Sequence, residues 1–545
     1  MRRLFLVVLS VVFTTLSSAE DAVASNRNNN DDDQEASCPI PVVLPQHLLD
    51  FYINGTWVPP VSESTTSSTP IPPRTWDVIN PSFDEPIAKI SLGTFQDTHA
   101  AVQAARQALP GWSQRTSLAT RRKYTEKLLH IYERRQEEMA QLISAEMGAP
   151  IAAARDGQVG SGVYHIEQFL QSLDYFETER IVPGIHPDDA ATTIHYEPIG
   201  VVGLITPWNW PLNQITLKVI PALLVGCTCI LKPSEMAPLS GLLFAEMMHE
   251  AGFPPGVFNL VNGDGPGVGT DLSRHDEVDM ISFTGSTRAG RLIAQAAAAS
   301  NLKKVSLELG GKGANIIFAD VQAIATLEDV IQNGVWNCFD NSGQSCNAPT
   351  RMLVERSIYQ QAVKIATKTA KAEDMQVRAA NEEGDFYGPV SSRTQYQRVQ
   401  QYIQLGIDQG ARLVAGGLGR PDGTNRQGFF VQPTIFADVS TNMTIAQEEI
   451  FGPVLSIMPF DTEEEAVEIA NGTPYGLTNY VYTDNIDRRR RLARSLKSGM
   501  IEMNGVGPDE GAPFAAMRAS GNGREGGIWG LEDFCVVKVV SGVES

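Results

Sequence analysis

The sequence predicts an α/β fold with more than one sheet-bearing domain. Three observations carry that reading. From Gly200 to Ala299, short apolar runs alternate with longer stretches of helical spacing; beyond Phe318 the alternation begins again; and 545 residues are more than one hydrophobic core ordinarily serves. Strand-helix alternation of this kind builds parallel sheets with crossover helices. In such sheets, ligands bind beyond the carboxyl ends of the strands.

The chain opens with Met1-Arg2-Arg3, an apolar run from Leu4 to about Leu16, then Ser17-Ser18-Ala19. A basic start, a short apolar core and small residues make residues 1–19 an expected secretory signal; a retained membrane anchor is the first alternative and a mitochondrial presequence the second. Residues 20–42 are polar and of low complexity, including Asn28-Asn29-Asn30-Asp31-Asp32-Asp33, and are expected to be disordered. Residues 51–58 read as a hairpin turning at Asn54-Gly55, followed by a Ser/Thr/Pro-rich loop to Pro73. Helical spacing then covers Asp97 to Leu109 and Leu118 to Met147, stopped by Gly148 and Pro150.

In the first alternating region, strands are expected at Val201–Thr206, Thr228–Lys232, Val257–Val261 and Met280–Phe283. Helices are expected at Leu212–Val225, Pro238–Ala251 and Arg288–Ala299. In the second region, the candidate strands are Arg351–Val354, Gly388–Val390, Val454–Phe460 and Asn479–Tyr482. The candidate helices there are Ser357–Lys371, Glu463–Ala470 and Ile486–Leu496, and a last strand covers Cys535–Val540.

A net charge of −20 excludes nucleic acid as an expected partner, because phosphate binding needs a positive surface. The run Arg488-Arg489-Arg490-Arg491 reads as a solvated helix face. Six cysteines in this length make no disulfide scaffold, and none has zinc-site spacing with histidines, so no metal site is expected. Asn54, Asn442 and Asn471 stand in glycan sequons.

Four constellations close the predicted strands. Thr206-Pro207-Trp208-Asn209 precedes a helix, so the Asn209 amide either stabilises an oxyanion or caps the helix. Lys232 and Glu235 suit the hydroxyls of a ribose, or form a surface ion pair. The turn Thr284-Gly285-Ser286-Thr287 offers backbone amides at a helix start, a setting for pyrophosphate. Glu308, beside Gly310 and Gly311, has room to move as a base, or is a strand-end charge. Downstream, Cys346 lies among small polar residues, where a reactive thiol needs partial exposure and neighbours that favour thiolate.

Taken together, these stretches resemble the aldehyde dehydrogenase superfamily from about Tyr52 to Val540. The family patterns stand here as Pro207-Trp208-Asn209, Lys232-Pro233-Ser234-Glu235, Phe283-Thr284-Gly285-Ser286-Thr287, Glu308-Leu309-Gly310-Gly311-Lys312, Gly343-Gln344-Ser345-Cys346 and Glu448-Glu449-Ile450-Phe451-Gly452-Pro453. The resemblance implies a Rossmann-like NAD-binding domain (43–181 and 199–310), a second α/β catalytic domain (311–512) and a small β oligomerisation arm (182–198 and 513–545). It implies Cys346 as nucleophile, Glu308 as general base, Asn209 as oxyanion donor and Glu525 as an aid to proton traffic. Thr206, Pro207, Trp208, Lys232, Glu235, Gly285, Ser286, Glu449 and Phe451 would hold NAD, with NADP as the alternative that Glu235 opposes. The implied substrate is a small-molecule aldehyde in a channel lined by Trp210, Gln214, Leu217, Ser345 and Asn347. The implied assembly is a homodimer or homotetramer.

One stretch departs from the family pattern. The family commonly has Pro-Phe-Gly-Gly-Tyr-Lys, and this chain has Pro513-Phe514-Ala515-Ala516-Met517-Arg518. If those glycines served positive φ or close approach, alanine would strain the loop and displace Glu525. Two alternatives to a hydrolytic dehydrogenase follow: a catalytically impaired protein that keeps the fold, and a coenzyme A-acylating enzyme, which the presence of Glu308 opposes.

Overall fold

The computed structural model describes residues 42–61, 74–183, 191–424, 427–509 and 511–542. The expected signal segment, the disordered stretch apart from residue 42, most of the Ser/Thr/Pro loop and Cys38 lie outside them.

The first sheet runs in the order Lys304–Glu308, Met280–Thr284, Val201–Ile205, Thr228–Lys232, Phe258–Leu260, Phe51–Ile53, Thr56–Val58. Its first five strands are parallel. The predicted hairpin forms with Ile53 opposite Thr56 and adds to this sheet antiparallel through Tyr52 and Leu260. Strand order reverses between Val201–Ile205 and Met280–Thr284, so a crevice opens at their carboxyl ends, where Thr206 and Gly285 follow. The strands Met280–Thr284, Val201–Ile205, Thr228–Lys232 and Phe258–Leu260 are buried throughout. The helices Pro211–Val225 and Leu239–Ala251 cover them with Leu212, Ile215, Leu223, Leu242 and Phe244, each side chain contributing about 1.5–3 kcal/mol of burial.

The second sheet has the order Arg412–Ala415, Thr434–Ala437, Val454–Phe460, Arg351–Glu355, Ala314–Ile317, Thr478–Tyr482, Met500–Met503, with only the first pair antiparallel. A third, antiparallel sheet joins Cys535–Ser541, Thr192–Pro198 and Glu179–Val182. Two of its strands fall in the segments 182–198 and 513–545 read from the sequence as an arm, and Glu179–Val182 falls mostly within the span assigned to the cofactor domain.

Two expectations are corrected. Leu118 to Met147 is two helices, Leu118–Arg134 and Gln136–Met147, because Arg135 leaves helical geometry at φ −105° and ψ 16°. Gly388 to Val390 forms no strand: Gly388 packs so closely on the Gly148 carbonyl that a Cβ would lie 2.2 Å from it, and Val390 N–H bonds to Phe429 outside any ladder. Helices at Gly160–Ser172, Leu327–Phe339 and Arg393–Asp408 had no counterpart in the sequence reading.

Candidate active site

The nucleophile loop follows the helix Leu327–Phe339 and turns sharply through three consecutive left-handed residues: Asn341 (φ 50°), Ser342 (φ 56°) and Gly343 (φ 72°). Gly343 is required here, since a Cβ would lie 2.2 Å from the Gly452 carbonyl. Hydrogen bonds fix the turn: Ser342 Oγ donates to Gly388 O (2.8 Å), and Ser391 N donates to Gln344 Oε1 (2.8 Å). Side chains held in this way place Cys346 at the end of a rigid turn, partly exposed.

Asn209 reaches this loop from the first sheet. Its Nδ2 donates to Gln344 O (2.8 Å), and its own carbonyl accepts from Gln158 Nε2 (3.1 Å) and Asn341 Nδ2 (2.9 Å). The capping alternative fails, because the helix Pro211–Val225 is entered from Trp210 without a side-chain cap. An amide nitrogen carries two hydrogens; Gln344 takes one, which leaves the other as a donor beside the nucleophile loop. The next residue, Trp210, donates from Nε1 to Ser345 Oγ (2.8 Å).

Glu308 ends its strand with the carboxylate buried and without a protein partner on either oxygen. Burial foremost, then the charge of Glu525, push its pKa well above the carboxylate range; Lys218 pulls it back in part. The side chain occupies the space left by Gly523, where a Cβ would meet Glu308 Oε1 at 2.3 Å. Glu525 is likewise buried and raised by burial, and it pairs with Lys218 Nζ, which also donates to Thr284 Oγ1 (2.8 Å). Lys218 was missed in the sequence. Its signal was available, as the one charged residue in the helix Pro211–Val225.

The electrostatics around Cys346 correct one expectation. No cation favours its thiolate. Burial, then the carboxylates of Glu449 and Glu308, push the thiol up to about 12, and only the backbone N–H groups of Cys346 and Asn347 act the other way. The residue keeps an exposed edge while its sulfur environment is desolvated.

The expected cofactor residues gather along the crevice. Lys232 is 2% exposed and its Nζ lies 3.3 Å from Glu235 Oε2, so the pair is no surface bridge; burial lowers the lysine's pKa. Thr206, after Ile205, is buried with its Oγ1 unpartnered. Ser286, following Gly285, caps the helix Thr287–Ala298 by accepting from Ala289 N (3.2 Å), leaving a helix N-terminus at the crevice. Glu449 accepts from Gly311 N (2.9 Å) and lies where a Gly310 Cβ would be, at 2.3 Å; burial raises its pKa. The Trp208 and Phe451 rings meet edge to face at 5.4 Å, and Phe451 holds φ 63°. Pro207 lies between Thr206 and Trp208, half-buried. The set fits a dinucleotide: an orphaned hydroxyl at Thr206, a helix N-terminus for phosphate, and buried charges at both ends.

The departure at 513–521 is benign in its backbone. Phe514–Ala515 pairs antiparallel with Arg524–Glu525, setting Phe514 opposite Glu525, and neither Ala515 nor Ala516 has positive φ. Arg518 takes φ 60° and donates to the carbonyls of Tyr475 (2.9 Å) and Asn471 (3.2 Å).

A model of the aldehyde dehydrogenase family matches residues 69–540. The chain belongs to the aldehyde dehydrogenase family. It is 46% identical over 496 residues to a 3-succinoylsemialdehyde-pyridine dehydrogenase from a Pseudomonas species, covering 91% of this chain and 98% of that one. Among solved structures, an aldehyde dehydrogenase from Bartonella henselae superposes with a TM-score of 0.85 at 51% identity, covering 90% of this chain and 99% of the other. Aldehyde dehydrogenase C from Pseudomonas syringae, a cysteine-to-alanine variant complexed with NAD+ and octanal, superposes at 0.84 with 43% identity, covering 91% and 97%. As a member of this family, the chain is an NAD(P)-dependent aldehyde dehydrogenase with the expected α/β fold.

Proposed function

We propose that the protein oxidises an aldehyde to a carboxylate through a thioester on Cys346, released by water that Glu308 activates. The observation that carries this reading is the Asn209–Gln344 hydrogen bond, which puts a spare amide donor beside the Cys346 turn. The Cys346 thiolate adds to the aldehyde carbon. The resulting oxyanion is received by Asn209 Nδ2 and the Cys346 backbone N–H, donors fixed before reaction. Lys232, Glu235, Ser286 and Glu449 would hold NAD, which would accept the hydride that the carbon loses as the oxyanion collapses to the thioester. Glu308 then takes a proton from water, hydroxide adds to the acyl carbon, and the carboxylate leaves as the Cys346 thiolate is restored. The raised Glu308 suits the task, since a base of higher pKa accepts a proton more readily. The Lys218–Glu525 pair beside it offers an onward route for that proton.

Retained Glu308 opposes coenzyme A as the acyl acceptor, and the unstrained Ala515 and Ala516 oppose an impaired enzyme. Glu235 favours NAD over NADP, because its carboxylate would face a 2′-phosphate. The substrate class we infer is an uncharged aliphatic or aromatic aldehyde, the octanal complex of the Pseudomonas syringae relative supporting a medium chain. Cys346→Ala is expected to abolish NADH formation; turnover at the wild-type rate contradicts the nucleophile.

A second copy of the chain is the proposed assembly partner. The arm exposes Ile181 (67%), Val537 (57%) and Val539 (64%), more apolar surface than an isolated strand favours, and sedimentation would distinguish dimer from monomer. For location we propose the secretory pathway, tested by sequencing the mature N-terminus. In that setting Asn471 is a poor glycan acceptor, since its Nδ2 already donates to Ser495 O (2.9 Å).

A further inference from the structure

Three thiols gather where the C-terminal strand meets the first sheet, and the reaction uses none of them. Cys227, Cys229 and Cys535 are free, buried and part of one apolar cluster. Cys227 stands between the left-handed Gly226 and the strand Thr228–Lys232; Cys535 opens the strand Cys535–Ser541 opposite Pro198. Cys227 Sγ donates to Phe534 O (3.4 Å), the carbonyl of the peptide that leads into Cys535. A planar trans peptide holds that oxygen within roughly 3 Å of the Cys535 Cα. The Cys227 sulfur is therefore no more than roughly 6 Å from that Cα, a separation that a turn of the Cys535 side chain and a small shift of the chain convert to a disulfide.

Hydrogen bonding at the pair permits the same change. The Cys535 thiol donates to Leu531 O (3.5 Å), and each accepting carbonyl also holds a backbone donor: Ile199 N–H on Phe534 O (2.9 Å) and Phe534 N–H on Leu531 O (3.2 Å). Loss of both thiol protons thus orphans no buried carbonyl. Burial pushes the Cys227 thiol up to about 12 and, with the charge of Cys227, raises Cys535; an uncharged disulfide suits such a setting. The buried Arg121 guanidinium lies in the field of both sulfurs and favours the thiolate that exchange needs. Cys229 is the poorer partner. Across the extended Thr228 its Cα stands about 6.6 Å from that of Cys227, at the far limit for such a bond.

We propose that Cys227 and Cys535 are a redox-active pair, which a low-molecular-weight disulfide such as glutathione disulfide oxidises to an intramolecular bond stapling the C-terminal strand to the first sheet. Cys535 is the more exposed of the two, at 7% against 0%, and attacks first. Its thiolate displaces one thiol from the oxidant; Cys227 then attacks the mixed disulfide at Cys535 and releases the second. Two cysteine thiols are oxidised, one small disulfide is reduced to two thiols, and both cysteine protons pass to the departing sulfurs. The bond spans more than three hundred residues of chain, so it restricts the unfolded state and stabilises the folded one. It also anchors the helix Gly527–Asp533, which lies between Cys535 and Glu525. The pair goes beyond the reaction proposed above and depends only on the redox poise around the protein.

The test equilibrates the purified full-length protein in glutathione buffers from fully reduced to fully oxidised, then quenches with acid, denatures, alkylates and maps the peptides by mass spectrometry. A cross-linked pair of peptides holding Cys227 and Cys535 is expected under oxidising buffer and not under reducing buffer, with Cys229 alkylated in both. Oxidised wild type is expected to melt about 2–5 °C above the reduced protein. That difference is expected to vanish in Cys535→Ala and to persist in Cys229→Ala. Full alkylation of Cys227 and Cys535 in every buffer overturns the pair, as does a bond between Cys227 and Cys229. The wild-type peptide map decides the matter even where a variant fails to fold, and NADH formation from octanal reports separately on the reaction.

Discussion

Lys218 Nζ and Glu525 Oε1 form an ion pair with both side chains almost wholly buried, and Glu308 lies in the field of both. A pair removed so far from water is held by mutual need rather than by net gain: removing one partner costs about 3–5 kcal/mol. Lys218→Met is expected to lower the thermal midpoint. It also removes the charge that restrains the Glu308 pKa, so the base would be deprotonated only at higher pH. The rising limb of kcat against pH is therefore expected to move upward; an unmoved limb, in a folded variant, contradicts the coupling.

Cys346 yields a second pH prediction. With its thiol pushed up to about 12, the thiolate fraction between pH 7 and 9 rises tenfold per unit. Alkylation by iodoacetamide in the absence of cofactor is expected to accelerate by that factor per unit. A plateau below pH 9 would mean that the thiol titrates far lower than its acidic surroundings dictate. Glu449→Gln removes one of the two carboxylates and is expected to speed the reaction at fixed pH.

Gly523 gives Glu308 its space. An added methyl would fall 2.3 Å from Oε1, so Gly523→Ala must displace the carboxylate. A misplacement of about 1 Å lowers rate by roughly 100-fold. The loss is expected in steady-state turnover, with NAD binding unchanged; wild-type turnover would show that Glu308 works from another position.

Ala515 and Ala516 stand where the family resemblance led us to expect glycine, yet neither has positive φ. Ala515→Gly or Ala516→Gly is therefore expected to lose about 0.5–1 kcal/mol through added freedom of the unfolded chain, with kcat changed less than twofold. Denaturation midpoints and initial rates measure both. A large gain in kcat would show that the alanines do obstruct the site.

What was legible in the sequence lay where local chemistry is compressed into a few residues. Pro207-Trp208-Asn209, Gly285-Ser286 and Gly343-Gln344-Ser345-Cys346 each combine a chain-direction change with a polar group, and each stands at the end of its strand or turn as expected. The parallel strands 201–205, 228–232 and 280–284 were equally plain, because strands buried on both faces read as unbroken apolar runs. Long-range fit was not legible. The Gly523–Glu308 contact spans more than two hundred residues, and the carboxylates that oppose the Cys346 thiolate come from a strand end, Glu308, and from the loop after the helix Thr444–Gln447, Glu449. The helix Gly160–Ser172 escaped notice because its first three residues are glycine, serine and glycine, which weaken helical spacing although packing on Pro211–Val225 sustains it.

The division of labour between Cys346 and Glu308 is tested most directly by rapid mixing of Glu308→Gln with NAD and excess aldehyde, following NADH. Acylation needs Cys346 and Asn209 but not the water base, so one NADH per active site is expected in a rapid burst, followed by turnover slowed about 100-fold or more. Steady turnover at the wild-type rate without a burst would contradict Glu308 as the group that releases the acyl chain.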